Sequence, residues 1–179
     1  LRIAHKAGNL RAQIARWIGT DEPQSTLFLS PPGYGKTTLL REWVRYFSDR
    51  GFTAAIADER SEIAALADGV PQLAVGRCTD VMEGCSKWQA AVMLLKTMSP
   101  ALLALDEITA PEDAKAVSLC THCGTAVIAC AHAAGLDDLR QRPIYRELLA
   151  LGAFHQAVII EKQDGQRVYR MERWEETKC

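Results

Sequence analysis

The chain has 179 residues, 48% of them apolar and 24% charged, with a formal net charge of −1. That is enough for one α/β domain with a sizeable core, and too little positive charge for a surface built mainly around nucleic-acid phosphates. No apolar run reaches the ~18 residues that span a bilayer and no signal-peptide pattern opens the chain; it begins at Leu1 rather than Met, so a piece of a longer protein is expected.

In chain order, apolar residues at helical spacing (Ile3, Leu10, Ile14, Trp17, Ile18) predict one or two short lead-in helices within residues 1–22. Thr26–Ser30 reads as a strand, 36–50 as a helix closed by Gly51, and Phe52–Ala57 as a second strand. Ser61–Ala67 reads as a helical turn and 68–83, punctuated by Gly, Pro and polar residues, as a long loop. Ser86 and Gln89 form a capping box that opens a helix to about Met98, which Pro100 ends. Ala101–Leu105 is a continuous apolar run, as a buried parallel strand requires. Thr109 to Glu112 reads as another capping-box start, with a helix to about Cys123 and Gly124 after it. Thr125–Cys130 is a further buried strand. Residues 136–151 are helical, with Pro143 kinking or splitting them. Val158–Glu161 and Arg167–Met171 flank Asp164-Gly165 and predict a β-hairpin within a 155–174 extension. Strands alternating with helices predict a mostly parallel sheet with helices on both faces, in one domain over 1–179.

The stretch from Leu27 to Thr38 carries the chemistry. An apolar strand runs into Pro32-Gly33-Tyr34-Gly35-Lys36-Thr37-Thr38, and an amphipathic helix follows. This is a P-loop: backbone N–H groups and a helix N-terminus meet phosphate oxygens, Lys36 reaches the β/γ-phosphates and Thr37 takes Mg²⁺. ATP and Mg²⁺ are the expected ligands. The pattern's first glycine is Ser30 here.

Leu102–Leu105 is a buried strand ending in Asp106 and Glu107, a Walker B pattern. Asp106 would hold Mg²⁺ through water and Glu107 would orient or deprotonate the attacking water. Asp58-Glu59-Arg60 ends the second strand in the same way, as a second Mg²⁺- or water-placing pair or as a solvated strand end. His132 ends a strand next in order after Walker B, where it would sense a γ-phosphate. Arg77 is either an arginine finger or a surface salt bridge, while Arg140 and Arg142 read as solvated helix-face residues. Cys120 and Cys123 have knuckle spacing but lack a second ligand pair, so the six cysteines read as reduced thiols in a cytoplasmic protein.

Several short motifs then stand in a recognisable order: Asp58 to Ile63, Gly69 to Gln72, Thr79-Asp80-Val81, Met98-Ser99-Pro100, Leu105 to Ile108, Ala131-His132, Asp138-Leu139 and Arg142-Pro143. With the opening Ile3-Ala4 and the Pro-Pro-Gly of the P-loop, they resemble the stage III sporulation protein AA family, in the C-terminal ATPase part of a longer protein. The resemblance implies a RecA-like P-loop NTPase similar to type II and type IV secretion ATPases, pilus retraction motors among them, which usually work as hexamers. It places Asp58 and Glu59 in an Asp box, Asp106 and Glu107 in Walker B, and His132 in a His box. It also implies a cytoplasmic ATPase, peripheral at the mother-cell side of the outer forespore membrane, that energises a channel of sporulation membrane proteins. Thr109-Ala110 stands where that family tends to have Gly-Arg, which removes one basic group. Two other classes fit a P-loop: a nucleic-acid-handling ATPase, whose basic, aromatic-interleaved stripe is not seen, and a nucleotide-gated module with little turnover.

Overall fold

A computed structural model describes residues 10–18 and 22–174. Ile3, the Ile3-Ala4 match and Cys179 lie outside the described residues. The elements run α1 (Leu10–Ile18), β1 (Thr26–Leu29), α2 (Lys36–Ser48), β2 (Ala54–Asp58), the two-residue strands β3 (Leu66–Ala67) and β4 (Val70–Pro71), β5 (Thr79–Glu83), α3 (Lys87–Met98), β6 (Leu102–Glu107), α4 (Pro111–His122), β7 (Ala126–Ala131), α5 (Leu136–Gln141), α6 (Pro143–Ala150), β8 (Gln156–Gln163) and β9 (Gln166–Arg173).

Seven strands form one sheet in the order β5-β2-β6-β7-β1-β8-β9. All neighbours are parallel except β8 and β9, which form an antiparallel hairpin. The hairpin is therefore no appendage: β8 pairs with β1 from Thr26↔Gln156 to Leu29↔Ile159.

Both faces of the central strands are buried, which is why they read as unbroken apolar runs. Leu27, Leu29, Leu103, Leu105, Val127 and Ala129 face a core closed by α3, α4 and α6. Phe28, Leu102, Ala104 and Ile128 face the other core, filled by Trp17 of α1 and by Trp43 and Phe47 of α2. Trp43 meets Phe28 edge-on with ring centroids 5.3 Å apart.

Several local expectations change. Residues 61–67 are not a helical turn. The Asp58 carboxylate, fully buried, accepts backbone N–H bonds from Glu62 (2.9 Å), Ile63 (3.0 Å) and Ala64 (2.8 Å), and the chain then enters the small β3–β4 hairpin. A carboxylate that offers four acceptor sites outcompetes the weak local helix preference here. The predicted loop at 68–83 contains β5, an edge strand paired with β2 from Ala54↔Thr79 to Asp58↔Glu83. Its half-exposed residues give no buried apolar run to read. Helix α4 starts one residue later than expected, with Ala110 as N-cap. Asp113, not Glu112, reaches back to accept from Thr109 N (2.9 Å) and Ala110 N (3.0 Å). The Ser86–Gln89 capping box forms as expected, and Pro143 splits the 136–151 segment into α5 and α6.

Replacing Asp58 with alanine leaves three backbone N–H groups without an acceptor inside the fold. Asp58→Ala is expected to lower the free energy of unfolding by about 3–5 kcal/mol, read from the midpoint of a urea transition.

Candidate functional site

The phosphate loop follows β1 directly. Gly33 and Gly35 have φ of +75° and +91°, a region that side chains with a Cβ rarely occupy. Ser30, at the place of the motif's first glycine, keeps a negative φ, so its Cβ costs nothing. Gly35 is the N-cap of α2, and no side chain caps that helix, which leaves its first N–H groups open to an anion.

Lys36 is buried, 8% exposed. Its ammonium donates to the carbonyls of Ser30 (3.0 Å) and Pro31 (3.3 Å), and to His132 Nδ1 (2.7 Å). Burial holds its pKa below the usual lysine value, partly opposed by the nearby Glu107 and Asp106 carboxylates. His132 Nε2 in turn lies 2.8 Å from Glu107 Oε2. An ammonium donating to Nδ1 leaves the ring proton on Nε2, where it is donated to the carboxylate. Lys36, His132 and Glu107 thus form one continuous chain. His132 reaches it because β7 lies between β6 and β1.

Asp106 and Glu107 are consecutive, and consecutive strand residues point to opposite faces. Both nevertheless line one cavity. The β6–β7 pairing steps from Leu105↔Ala129 to Glu107↔Cys130, so Asp106 is the extra residue of a bulge that re-aims the strand end. Burial raises the Asp106 pKa above the ordinary carboxylate value, and Glu62 adds to the effect. The segment beyond is anchored: Ile108 N donates to Cys130 O (3.1 Å), and the Tyr145 hydroxyl donates to Ile108 O (2.6 Å).

The cavity holds about 390 Å³. It brings together Pro32, Gly33, Gly35, Lys36, Thr37 and Thr38 of the loop with Asp106, Glu107 and His132. Four expected site residues do not line it. Tyr34 turns its ring beneath the Lys162 ammonium, 4.6 Å from the centroid. Asp58 is consumed by the backbone of 62–64. Glu59 pairs with the buried Lys87 ammonium (2.6 Å), which also meets Asp113 (3.4 Å). Arg77 is exposed and donates to Asp49 O (3.1 Å). Conversely, Arg60, Glu62, Cys130 and Arg167 line the cavity without having been singled out for it. Arg60 and Glu62 follow the Asp58-Glu59 pair closely and were within reach of a motif reading. Arg167 comes from β9, 130 residues beyond the loop, and no local pattern marks it. The two helix-face arginines form solvent-side pairs, Arg140 with Asp137 and Arg142 with Asp138. Among the described residues, no group of three or more His, Cys, Asp or Glu side chains is arranged to hold a metal ion by itself.

A family model described as "Sporulation stage III, protein AA" matches residues 1–171. The chain belongs to this family. Stage III sporulation protein AA of Bacillus subtilis (strain 168) is 33% identical over 170 residues, covering 92% of this chain and 55% of that protein. Protein SEEDLING PLASTID DEVELOPMENT 1 of Arabidopsis thaliana is 30% identical over 128 residues, covering 70% of this chain and 19% of that protein. The chain therefore spans little more than half of the first relative and a smaller part of the second. Among solved structures, the chain is similar to the VirB11 ATPase of the Brucella suis type IV secretion system in complex with sulphate. That match has a TM-score of 0.61 and 16% identity, over 92% of this chain and 50% of that one. The Legionella pneumophila ATPase DotB matches with a TM-score of 0.62 and 16% identity, over 88% and 47%. The pilus retraction motor PilT with bound ADP matches with a TM-score of 0.61 and 14% identity, over 87% and 48%. The fold of this family member is that of the P-loop secretion ATPases, a mostly parallel α/β sheet with a C-terminal antiparallel hairpin.

The raised pKa of Asp106 has a measurable consequence. Below the carboxyl's unfolded pKa, near 3.8, both states carry it neutral. As pH rises through the folded pKa, the buried group ionises at a cost and stability is lost. Asp106→Asn is expected to raise the thermal midpoint of the nucleotide-free chain at pH 7. That gain shrinks as pH falls toward 4, which thermal unfolding of the two chains across pH reads directly.

Proposed function

We propose that this chain is a Mg²⁺-dependent ATPase domain. It would work as a motor in a homo-hexameric ring, at the cytoplasmic face of a membrane complex, and energise a channel of sporulation membrane proteins. The observation that carries the reading is the meeting of Lys36 and Thr37 with Asp106, Glu107 and His132 in one cavity at the carboxyl ends of parallel strands. The fold likeness to VirB11 and PilT, whose structures hold sulphate and ADP, supports a phosphate ligand at this loop. Membership of the sporulation family supports the process.

The residues fit the ligand. The uncapped start of α2, the two positive-φ glycines and a buried ammonium suit phosphate oxygens. Three cations (Lys36, Arg60, Arg167) face three carboxylates (Glu62, Asp106, Glu107) around the cavity. A polyanion entering so balanced a cavity needs a divalent cation beside the acidic wall. Mg²⁺ there would be held by Thr37 and, through water, by Asp106, and would neutralise charge on the β- and γ-phosphates. Lys36 would exchange its loop carbonyls and His132 for phosphate oxygens. Glu107 would accept a proton from the water that attacks the γ-phosphorus, while the bond to the bridging oxygen breaks and ADP leaves with the electron pair. His132, released by Lys36, would sense the γ-phosphate by turning to it the single ring proton that Nε2 otherwise donates to Glu107. Asp58 and Glu59 would act from behind this wall, through the backbone of 62–64 and through Lys87. Arg77, exposed and, among the described residues, bonded to the Asp49 carbonyl, suits an arginine finger offered to a neighbouring subunit better than one used in its own site.

A nucleotide-gated module with little turnover is the second reading. The displacement of Arg77 and Glu59 from the cavity favours it for a lone subunit. The net charge of −1 lends no support to a nucleic-acid role.

ATP binding by titration and steady-state phosphate release test the reading. Lys36→Ala is expected to abolish binding. Glu107→Gln is expected to keep binding and lose at least about 10²-fold in turnover, and chelation of Mg²⁺ to stop turnover in the unmodified chain. Turnover unchanged in Glu107→Gln would favour the gated module, and absence of binding by the unmodified chain would sink both readings.

A further inference from the structure

The β8–β9 hairpin lies against the phosphate loop at two adjacent residues. Lys162 of β8 covers the Tyr34 ring, and its cross-strand partner Arg167 of β9 lies against Gly35. A Cβ added at Gly35 would stand 2.9 Å from the Arg167 Cζ and 3.1 Å from both terminal nitrogens. The guanidinium is thus packed on the backbone of the loop and lines the same cavity as Lys36 and Thr37.

Its bonding state sets it apart from the other arginines of the hairpin. Arg170 pairs with Glu161 and Glu172. Arg173 donates to Gln156 Oε1 (3.1 Å) and to Trp17 O. Among the described residues, no carboxylate or carbonyl accepts from Arg167. A guanidinium has five donors in a planar fork that matches phosphate oxygens. Arg167 is solvent-exposed, and with no protein acceptor among the described residues its fork is open to an anion entering the cavity.

Resting on the nucleotide reading above, we infer that Arg167 is a phosphate contact supplied in cis by the C-terminal hairpin. The sheet order assigns which phosphates it meets. Asp106, Glu107 and His132, which mark the γ-phosphate end, come from β6 and β7 on one side of β1. Arg167 comes from β9, beyond β8 on the other side. It meets the part of the triphosphate shared by ATP and ADP and takes no part in the hydrolytic step.

The test measures Kd for ATP and for ADP, each with Mg²⁺, in the unmodified chain and in Lys36→Ala, Arg167→Ala, Arg167→Met, Arg167→Lys and Arg146→Ala. Arg146 is an exposed arginine of α6, away from the cavity, and controls for net charge. Arg167→Ala and Arg167→Met are expected to weaken both nucleotides by about tenfold and to the same extent, as loss of one charge-assisted hydrogen bond requires. Arg167→Lys is expected to recover part of the loss. Methionine keeps the packing of the stem without the charge, so unchanged affinity in Arg167→Met would make the contact structural and overturn the inference. An equal loss in Arg146→Ala, or a loss confined to ATP, would overturn it too. If the unmodified chain binds and Lys36→Ala does not, any such result counts against Arg167 alone. If the unmodified chain binds neither nucleotide, the phosphate-loop reading falls with it.

Discussion

The Lys36 ammonium is the group around which the rest of the site is arranged. Burying an unpaired cation costs several kcal/mol, so a folded chain must give it acceptors. Here two are carbonyls of the loop that carries it and the third is a ring nitrogen from another strand. That last bond ties the start of α2 to the end of β7, and through Glu107 to β6. The Lys36–His132–Glu107 chain is therefore internally satisfied. On the nucleotide reading proposed above, an incoming phosphate would gain only the difference between its own bonds to Lys36 and those it displaces. The same exchange would free His132, which would couple occupancy of the loop to the hydrogen bonding of Glu107.

The acidic residues divide their labour according to burial. Asp58 is sealed off and three N–H groups converge on its carboxylate, which shapes the turn that carries Arg60 and Glu62 to the cavity. Glu59 lies on a buried lysine whose other partner, Asp113, caps the helix that follows Walker B. These contacts join the ends of β2 and β6 by charge pairs rather than by a shared ligand.

What the sequence made legible was local. A P-loop is a contiguous motif whose strand, glycines and helix follow within a dozen residues, and its burial on both faces shows as unbroken apolar runs in β1, β6 and β7. His132 was readable because it ends a strand whose place in the sheet follows from its order after Walker B. The features that escaped are those that depend on pairing. Strand β5 is half-exposed at the sheet edge, where no apolar period is required of it. The helical turn expected at 61–67 gave way to side-chain bonds from Asp58, which propensity does not register. The bulge at Asp106 is a mismatch between two strands and exists in neither sequence alone. Arg167 reaches the loop through a register in which Lys162 faces Arg167, and nothing near either residue encodes what lies beneath the hairpin.

That register bears on why the loop tolerates Ser30 but places glycine at 35. At residue 30 the backbone is ordinary, and the hydroxyl has a use: it donates to Pro31 O (2.8 Å) and lies 3.4 Å from the Lys36 ammonium. At residue 35 two demands coincide, a positive φ and the close approach of a guanidinium from another strand. The hairpin's place is fixed from the far end of β8, where Gln156 donates to Thr26 Oγ1 (2.8 Å) and accepts from Arg173. One end of the hairpin is thereby locked to the start of β1 while the other lies on the loop that β1 leads into. The phosphate loop is clasped between β7 and the hairpin. The C-terminal strands thus belong to the site as much as to the sheet.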